Sequence, residues 1–186
     1  MDRRAYLRAA GAAAAALAGC ATAGDGALAF RNGGFEDGLD GWAVGRDLPT
    51  DPNTGDPVAS RIAVTDATAS EGSRALSLFL DGRQDDGTVW VQRPAPLGDV
   101  STLSVDVHSP AESFNTITKA AVYAGPHPER PLTESRFDTS RPVEDHEGWR
   151  TYDYDVAHDG PGLVAVGVSV VWETEVTRHL DDVSLR

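Results

Sequence analysis

The sequence predicts an all-β fold, a single antiparallel β-sandwich of jelly-roll type. Three observations carry this. Apolar and polar residues alternate with a period of two in several short runs, Leu103-Ser104-Val105-Asp106-Val107 being the clearest. Clusters of Gly, Asp, Ser and Pro separate these runs at regular spacing. No run beyond residue 27 keeps a helical period.

In chain order, Leu28–Arg31 reads as a first strand, and Gly38–Trp42 as a turn into a second, Trp42–Gly45. A loop rich in Pro, Asp and Gly over Arg46–Pro57 leads to strand character at Ala59–Val64. The turn Ser70-Glu71-Gly72-Ser73-Arg74 precedes Ala75–Leu80, which puts Leu76, Leu78 and Leu80 on one face. In Thr88–Arg93, Val89 and Val91 point one way, Trp90 and Gln92 the other. Leu103–His108 is a one-sided strand and Ile117–Tyr123 the next. Residues 125–147 show no period and read as a long surface excursion, with a short strand at Ser135–Asp138. Trp149–Val156 alternates again, Leu163–Trp172 is the longest strand, and His179–Leu185 the last.

Charge narrows the partners. The formal net charge is -13, 20 of the 29 acidic residues are aspartate, and Lys119 is the single lysine. Such a surface repels phosphates, so no nucleic-acid partner is expected. Two readings of the acidity stand: a hydrated surface adapted to high salt, or attraction to a cationic partner. With one cysteine, Cys20, no intramolecular disulfide can form. The protein is expected to be a monomer.

Residues 1–19 carry Arg3-Arg4, then an alanine-rich run too short to span a membrane, then Leu17-Ala18-Gly19-Cys20. This resembles a twin-arginine export signal ending in a lipobox. The resemblance implies cleavage before Cys20, lipidation of its thiol, and a domain anchored at the extracytoplasmic face of the membrane. Residues 20–27 then form a lipidated tether, and 28–186 the sandwich domain.

The order Asn32-Gly33-Gly34-Phe35-Glu36…Trp42, Ser70–Leu78, Val89–Gln92, Leu103–Val107, Gly148–Tyr152 and His179–Leu185 resembles the carbohydrate-binding modules of CenC type, galactose-binding-domain-like jelly rolls. The resemblance covers residues 28–186, and the 125–147 excursion is long for it. It implies a glycan or polysaccharide partner and a structural calcium where first and last strands meet, held by Glu36 and Asp181 with backbone carbonyls of the Asn32–Gly34 and Ser73–Arg74 turns as further donors. Strand parity puts Asp181 on the face of Val183 and Leu185, hence inward. An inward carboxylate needs a cation or hydrogen bonds, and backbone amides alone would also serve.

A glycan site combines an aromatic platform with polar hydrogen-bonders. Trp90 with Gln92, opposite the Val89/Val91 face, is the leading platform, and packing in a core is the equal alternative. Tyr123 is a secondary platform, with Tyr154 and Trp172, while Asp106 and His108 are neighbouring hydrogen-bonders on the same sheet face as Trp90. Trp42, Trp149 and Trp172 read as packing residues. Catalysis is not expected: the five histidines are dispersed, and neither a Gly-x-Ser-x-Gly elbow nor a phosphate-binding glycine loop occurs. The sequence therefore points to a non-catalytic glycan-binding module, or to a surface lipoprotein that keeps the fold without binding sugar.

Overall fold

The computed structural model describes residues 30–83, 87–110, 118–143, 146–171 and 175–186. Among these residues nine strands, all paired antiparallel, form two sheets: β1 (Ala43–Asp47), β2 (Ser60–Thr65), β3 (Ala75–Leu80), β4 (Gly87–Pro96), β5 (Thr102–Ser109), β6 (Thr118–Gly125), β7 (Gly148–Asp155), β8 (Pro161–Val170) and β9 (Val176–Leu185). The four-stranded sheet has the order β1-β4-β8-β6, the five-stranded sheet β2-β3-β9-β5-β7. This is the expected jelly-roll sandwich.

The period-two alternation accounts for the core between the sheets. Leu76, Leu78 and Leu80 meet Val89, Val91, Leu103, Val105, Val107 and the valines of β8, all fully buried. Each such side chain contributes about 1.5–3 kcal/mol on leaving water. Strand β8 runs down the middle of its sheet and is buried on both faces from Gly162 to Val170, which explains its nearly unbroken apolar sequence.

Two elements differ from expectation. Phe30 and Arg31 belong to no strand (Leu28 and Ala29 lie outside the described residues); residues 30–42 instead form successive turns, with Asn32 and Phe35 at positive φ. Gly33 is required there because a Cβ would overlap the carbonyl of Val183, whose amide bonds Gly33 O at 3.1 Å. The two ends of the domain do meet, but through this close approach and not through a strand. In place of a strand at Ser135–Asp138 there is one 3-10 turn, Glu134–Arg136, after which Asp138 bridges to Val122. Ile117 and Trp172 lie outside the described residues.

The excursion is structural. Its amides and carbonyls at Asp138, Arg141 and Val143 bond to Val122, Ala120 and Thr118, giving the β6 edge a partner. From that edge it lays Leu132 and Phe137 onto the outer face of the four-stranded sheet. There they form a second core with Trp90, Ala121, Tyr123, Leu163 and Ala165.

Candidate functional site

Trp90 anchors this second core. Its ring is 2% exposed, 5.0 Å from the ring of Phe137, and its Nε1 donates to Gln92 Oε1 at 2.7 Å. In register it lies between Gly45 and Gly167, and a Cβ on either would overlap it. Tyr123 is 8% exposed, donates its hydroxyl to Pro126 O at 2.6 Å, and has the Arg136 guanidinium over its ring. Trp90, Gln92 and Tyr123 are thus correctly placed on the non-core side of their strands. They are not a platform, because the aperiodic excursion covers that side.

Asp106 and His108 lie on the other sheet, on the opposite side of the sandwich. The strand registers there align one row across five strands: Ala63, Ser77, His179, His108 and Trp149. Trp149, half-buried, stands edge-on to His108 at 5.1 Å and donates its Nε1 to Thr68 Oγ1 at 3.3 Å. His108 and His179 are 5.8 Å apart between ring centres. Burial holds the pKa of both below the ordinary histidine value.

The adjoining row pairs Thr151, Asp106 and Asp181. Asp106 is nearly buried and accepts from Thr151 Oγ1 at 2.6 Å and from the Ser70 hydroxyl. The turn at 68–74 therefore leans over this sheet edge, tied down at Trp149, Asp106 and Asp181. What this leaves is a shallow face with an aromatic ring, two imidazoles and hydroxyls. It suits a neutral, hydroxyl-rich ligand that stacks and hydrogen-bonds, and among the described residues nothing on it is arranged as nucleophile and base.

Asp181 corrects the parity argument. The β5–β9 register shifts between Ser104 and Asp106, and Asp182 takes a φ of 42°. This extra residue is a β-bulge, which flips parity: Val183 and Leu185 are inward, whereas Asp181 shares the outer side with His179 and Asp106. Asp181 is fully buried all the same, because the 70–71 turn sits on it. Its Oδ2 accepts from the amides of Ser70 (2.8 Å) and Glu71 (3.2 Å), its Oδ1 from Asp182 (2.8 Å). Burial raises its pKa against the pull of those three amides.

Glu36 accepts from the amides of Ser73 (2.7 Å) and Arg74 (2.9 Å) and from the Ser73 hydroxyl (2.8 Å), and these bonds lower its pKa. The side chain of Asn32 is turned into its own loop, bonding Gly38 O, Asp40 O and the amide of Asp37. The residues expected to hold calcium thus organise loops. Glu36 and Asp181 each grip two neighbouring amides of one turn, and their oxygens face N–H and O–H donors. As arranged, these two carboxylates do not fit a calcium ion, which needs six to eight oxygens free to point at it.

No family model and no curated protein matches the sequence. Solved structures do match. One comes from work on the promiscuous specificity of carbohydrate-binding modules of the β-sandwich superfamily: TM-score 0.54, 15% identity, 82% of this chain and 60% of that one. A second is TmCBM61 in complex with β-1,4-galactotriose: TM-score 0.51, 18% identity, 84% and 95%. The chain has the fold of β-sandwich carbohydrate-binding modules. A cyclase from Fischerella sp. TAU, in complex with 4-(1H-indol-3-yl)butan-2-one, shares it too, with TM-score 0.54, 14% identity and coverage of 86% and 96%. Fold alone therefore leaves function to the site.

Sequence reasoning missed Trp149 as a surface aromatic, and the signal was available. It shares strand parity with Thr151, Asp153 and Asp155, against the buried Tyr152 and Tyr154. Of the secondary platforms, Tyr154 is buried in the main core, and Trp172 lies outside the described residues.

Proposed function

We propose that the protein is a non-catalytic glycan-binding module, held at the extracytoplasmic face of the membrane by a lipid on Cys20. The observation that carries the binding role is the row across the five-stranded sheet, where Trp149, His108 and His179 sit beside Thr151 and Ser77. An aromatic edge with flanking hydroxyls and imidazoles is the chemistry that recognises a sugar ring. The neighbouring acids make a neutral polysaccharide the preferred class, since a uronate or sulfate chain would meet Asp106, Asp153 and Asp155. Cys20 lies outside the described residues, and the anchor rests on the Leu17–Cys20 motif and the signal before it.

The test is affinity electrophoresis of the protein through gels of neutral polysaccharides (β-1,4-galactan, xylan, mannan), run at high salt. Retardation by at least one, lost in Trp149→Ala but kept in a surface control such as Arg130→Ala, supports the reading. Equal mobility of wild type and Trp149→Ala in every gel overturns it and favours a lipoprotein without sugar binding. Mass spectrometry of membrane-extracted protein tests the anchor: a diacylated Cys20 at the mature N-terminus supports it, and a free thiol overturns it.

A further inference from the structure

The two histidines of the row share a feature that sugar binding does not require. Nδ1 of His108 and Nδ1 of His179 are both shielded from solvent, and neither has a hydrogen-bond partner. A buried polar atom without a partner is uncommon in a folded protein and calls for an explanation. Here two occur on directly paired residues of adjacent strands, 5.8 Å apart between ring centres, and one of the rings supports Trp149 from its edge.

A neutral imidazole can tolerate this arrangement by keeping its proton on Nε2, which leaves Nδ1 a bare acceptor. A second proton would put an N–H in a dry place with nothing to accept it. The ring would then have to swing outward to find water.

The groups that face the pair offer little to a cation. On β5, the Asp106 carboxylate is taken up by the hydroxyls of Ser70 and Thr151. On β9, Asp181 is taken up by three amides, Thr177 is uncharged, and Arg178 is a buried cation. Strand β3 presents Ser77 and Phe79, and β7 presents Trp149 and Thr151. His146, bonded to the Tyr152 hydroxyl and to Val107 O, is a further ionisable base. From the overlying turn come Thr68, bonded to Trp149, Ser70, bonded to Asp106, and Glu71, whose amide bonds Asp181.

We propose that His108 and His179 form a proton-gated pair that holds Trp149 in its place on the ligand face. With both rings neutral the row is intact. Protonating His108 expels its ring from the row, withdraws the edge contact from Trp149 and releases the ligand, while the neighbouring His179 ring sets how acid the solution must be before that happens. The gating of binding rests on the glycan reading above, whereas the coupling of the two rings to Trp149 does not.

The electrostatics point the same way. Burial lowers the pKa of His108, with His146 and Arg178 adding to it; burial likewise lowers that of His179, with His108 and Arg178 adding to it. The sign follows. A base depressed in the folded state leaves stability complete above the ordinary value of about 6.5 and removes it progressively as pH falls toward the folded value. The switch therefore acts below the usual histidine range, as an acid release.

The test needs no ligand at first. Trp149 emission is isolated as the difference between the full chain and Trp149→Phe, and followed from about pH 8 to about pH 4.5, a range that brackets histidine titration. The expected result is one acid-side transition with its midpoint clearly below about 6.5. It should disappear in His108→Gln, which cannot titrate, and move to higher pH in His179→Gln, which removes one neighbour of His108. A midpoint at the ordinary histidine value, or one that His179→Gln leaves in place, overturns the proposal. Circular dichroism of each variant at neutral pH confirms the fold, and the double variant His108→Gln/His179→Gln should show no transition even if one single variant is poorly folded.

The same proteins are then run through β-1,4-galactan, xylan and mannan gels at both ends of the pH range. Retardation lost in acid by wild type and kept by the double variant supports the gate. Retardation that persists unchanged in acid overturns it. A depressed, coupled transition with no retardation at any pH supports the histidine–Trp149 coupling and counts against the glycan reading, so the two failures can be told apart.

Discussion

The sandwich has two outer faces, with Trp90 on an inner strand of one sheet and Trp149 on an edge strand of the other, and the chain treats them in opposite ways. On the four-stranded sheet Trp90 lies in register between Gly45 and Gly167, and Leu132 and Phe137 are folded over it. On the five-stranded sheet Trp149 stands edge-on to His108, half-buried, with a polar turn beside it. One indole is a keystone in a second core; the other is an accessible ring at the edge of a polar row. The lesson is that strand parity tells which side of a sheet a residue takes, and the covering segment decides whether that side is surface or interior.

The largest test of this contrast is Trp90→Ala. Emptying the site under Phe137 and Leu132 should cost about 3–5 kcal/mol, the range for truncating a large buried aromatic. The loss is measured by urea unfolding, and the excursion should become susceptible to protease first. A stability change near zero would mean that the excursion does not depend on Trp90. Next in size, Gly167→Ala should cost about 1–3 kcal/mol by overpacking, because the new methyl would press on the Val89 carbonyl and on the backbone of Trp90. Trp149→Ala falls at the small end: its ring is only partly buried, on an edge strand, so stability should change by less than in Trp90→Ala, about 1 kcal/mol, while polysaccharide retardation disappears. The ratio of stability loss to binding loss, opposite in the two tryptophan variants, is what the contrast requires.

Much of the fold was legible because the period of two is a local property. Ala75–Leu80 was predicted to the residue, and the Leu76/Leu78/Leu80 face proved to be core. The misreadings have non-local causes. The role of Trp90 hinged on Phe137 and Leu132, more than forty positions away in a segment with no period of its own. The side taken by Asp181 hinged on one extra residue, Asp182, in a left-handed conformation, which a count by twos passes over. Residues 30–42 looked like a strand and a turn, but side-chain bonds from Asn32 shape them into a chain of turns. His108 and Asp106 were found as candidates but assigned to the wrong sheet, because alternation says nothing about which strands lie side by side. The partnership of His108 with His179 and Trp149 needed the registers β5–β9 and β5–β7.

The smallest predicted effect concerns the clasp on the same side of the molecule as Trp149. If Glu36 and Asp181 are satisfied by the amides of the 70–74 turn, EDTA should leave the melting temperature unchanged, within error, at neutral pH. A drop in Tm on chelation that added calcium reverses would show that the turn yields its amides to a cation. Acid should act where the chelator does not. The Ser73 amide, the Ser73 hydroxyl and the Arg74 amide hold the Glu36 pKa below the ordinary glutamate value. Its contribution is therefore present above about pH 4.5 and lost as pH falls through the lower folded value. Glu36→Gln should accordingly flatten the loss of Tm in that acid window, leaving the histidine-dependent loss at higher pH untouched. Two acid steps, one removed by Glu36→Gln and the other by His108→Gln/His179→Gln, would separate the grip on the turn from the row that the turn borders.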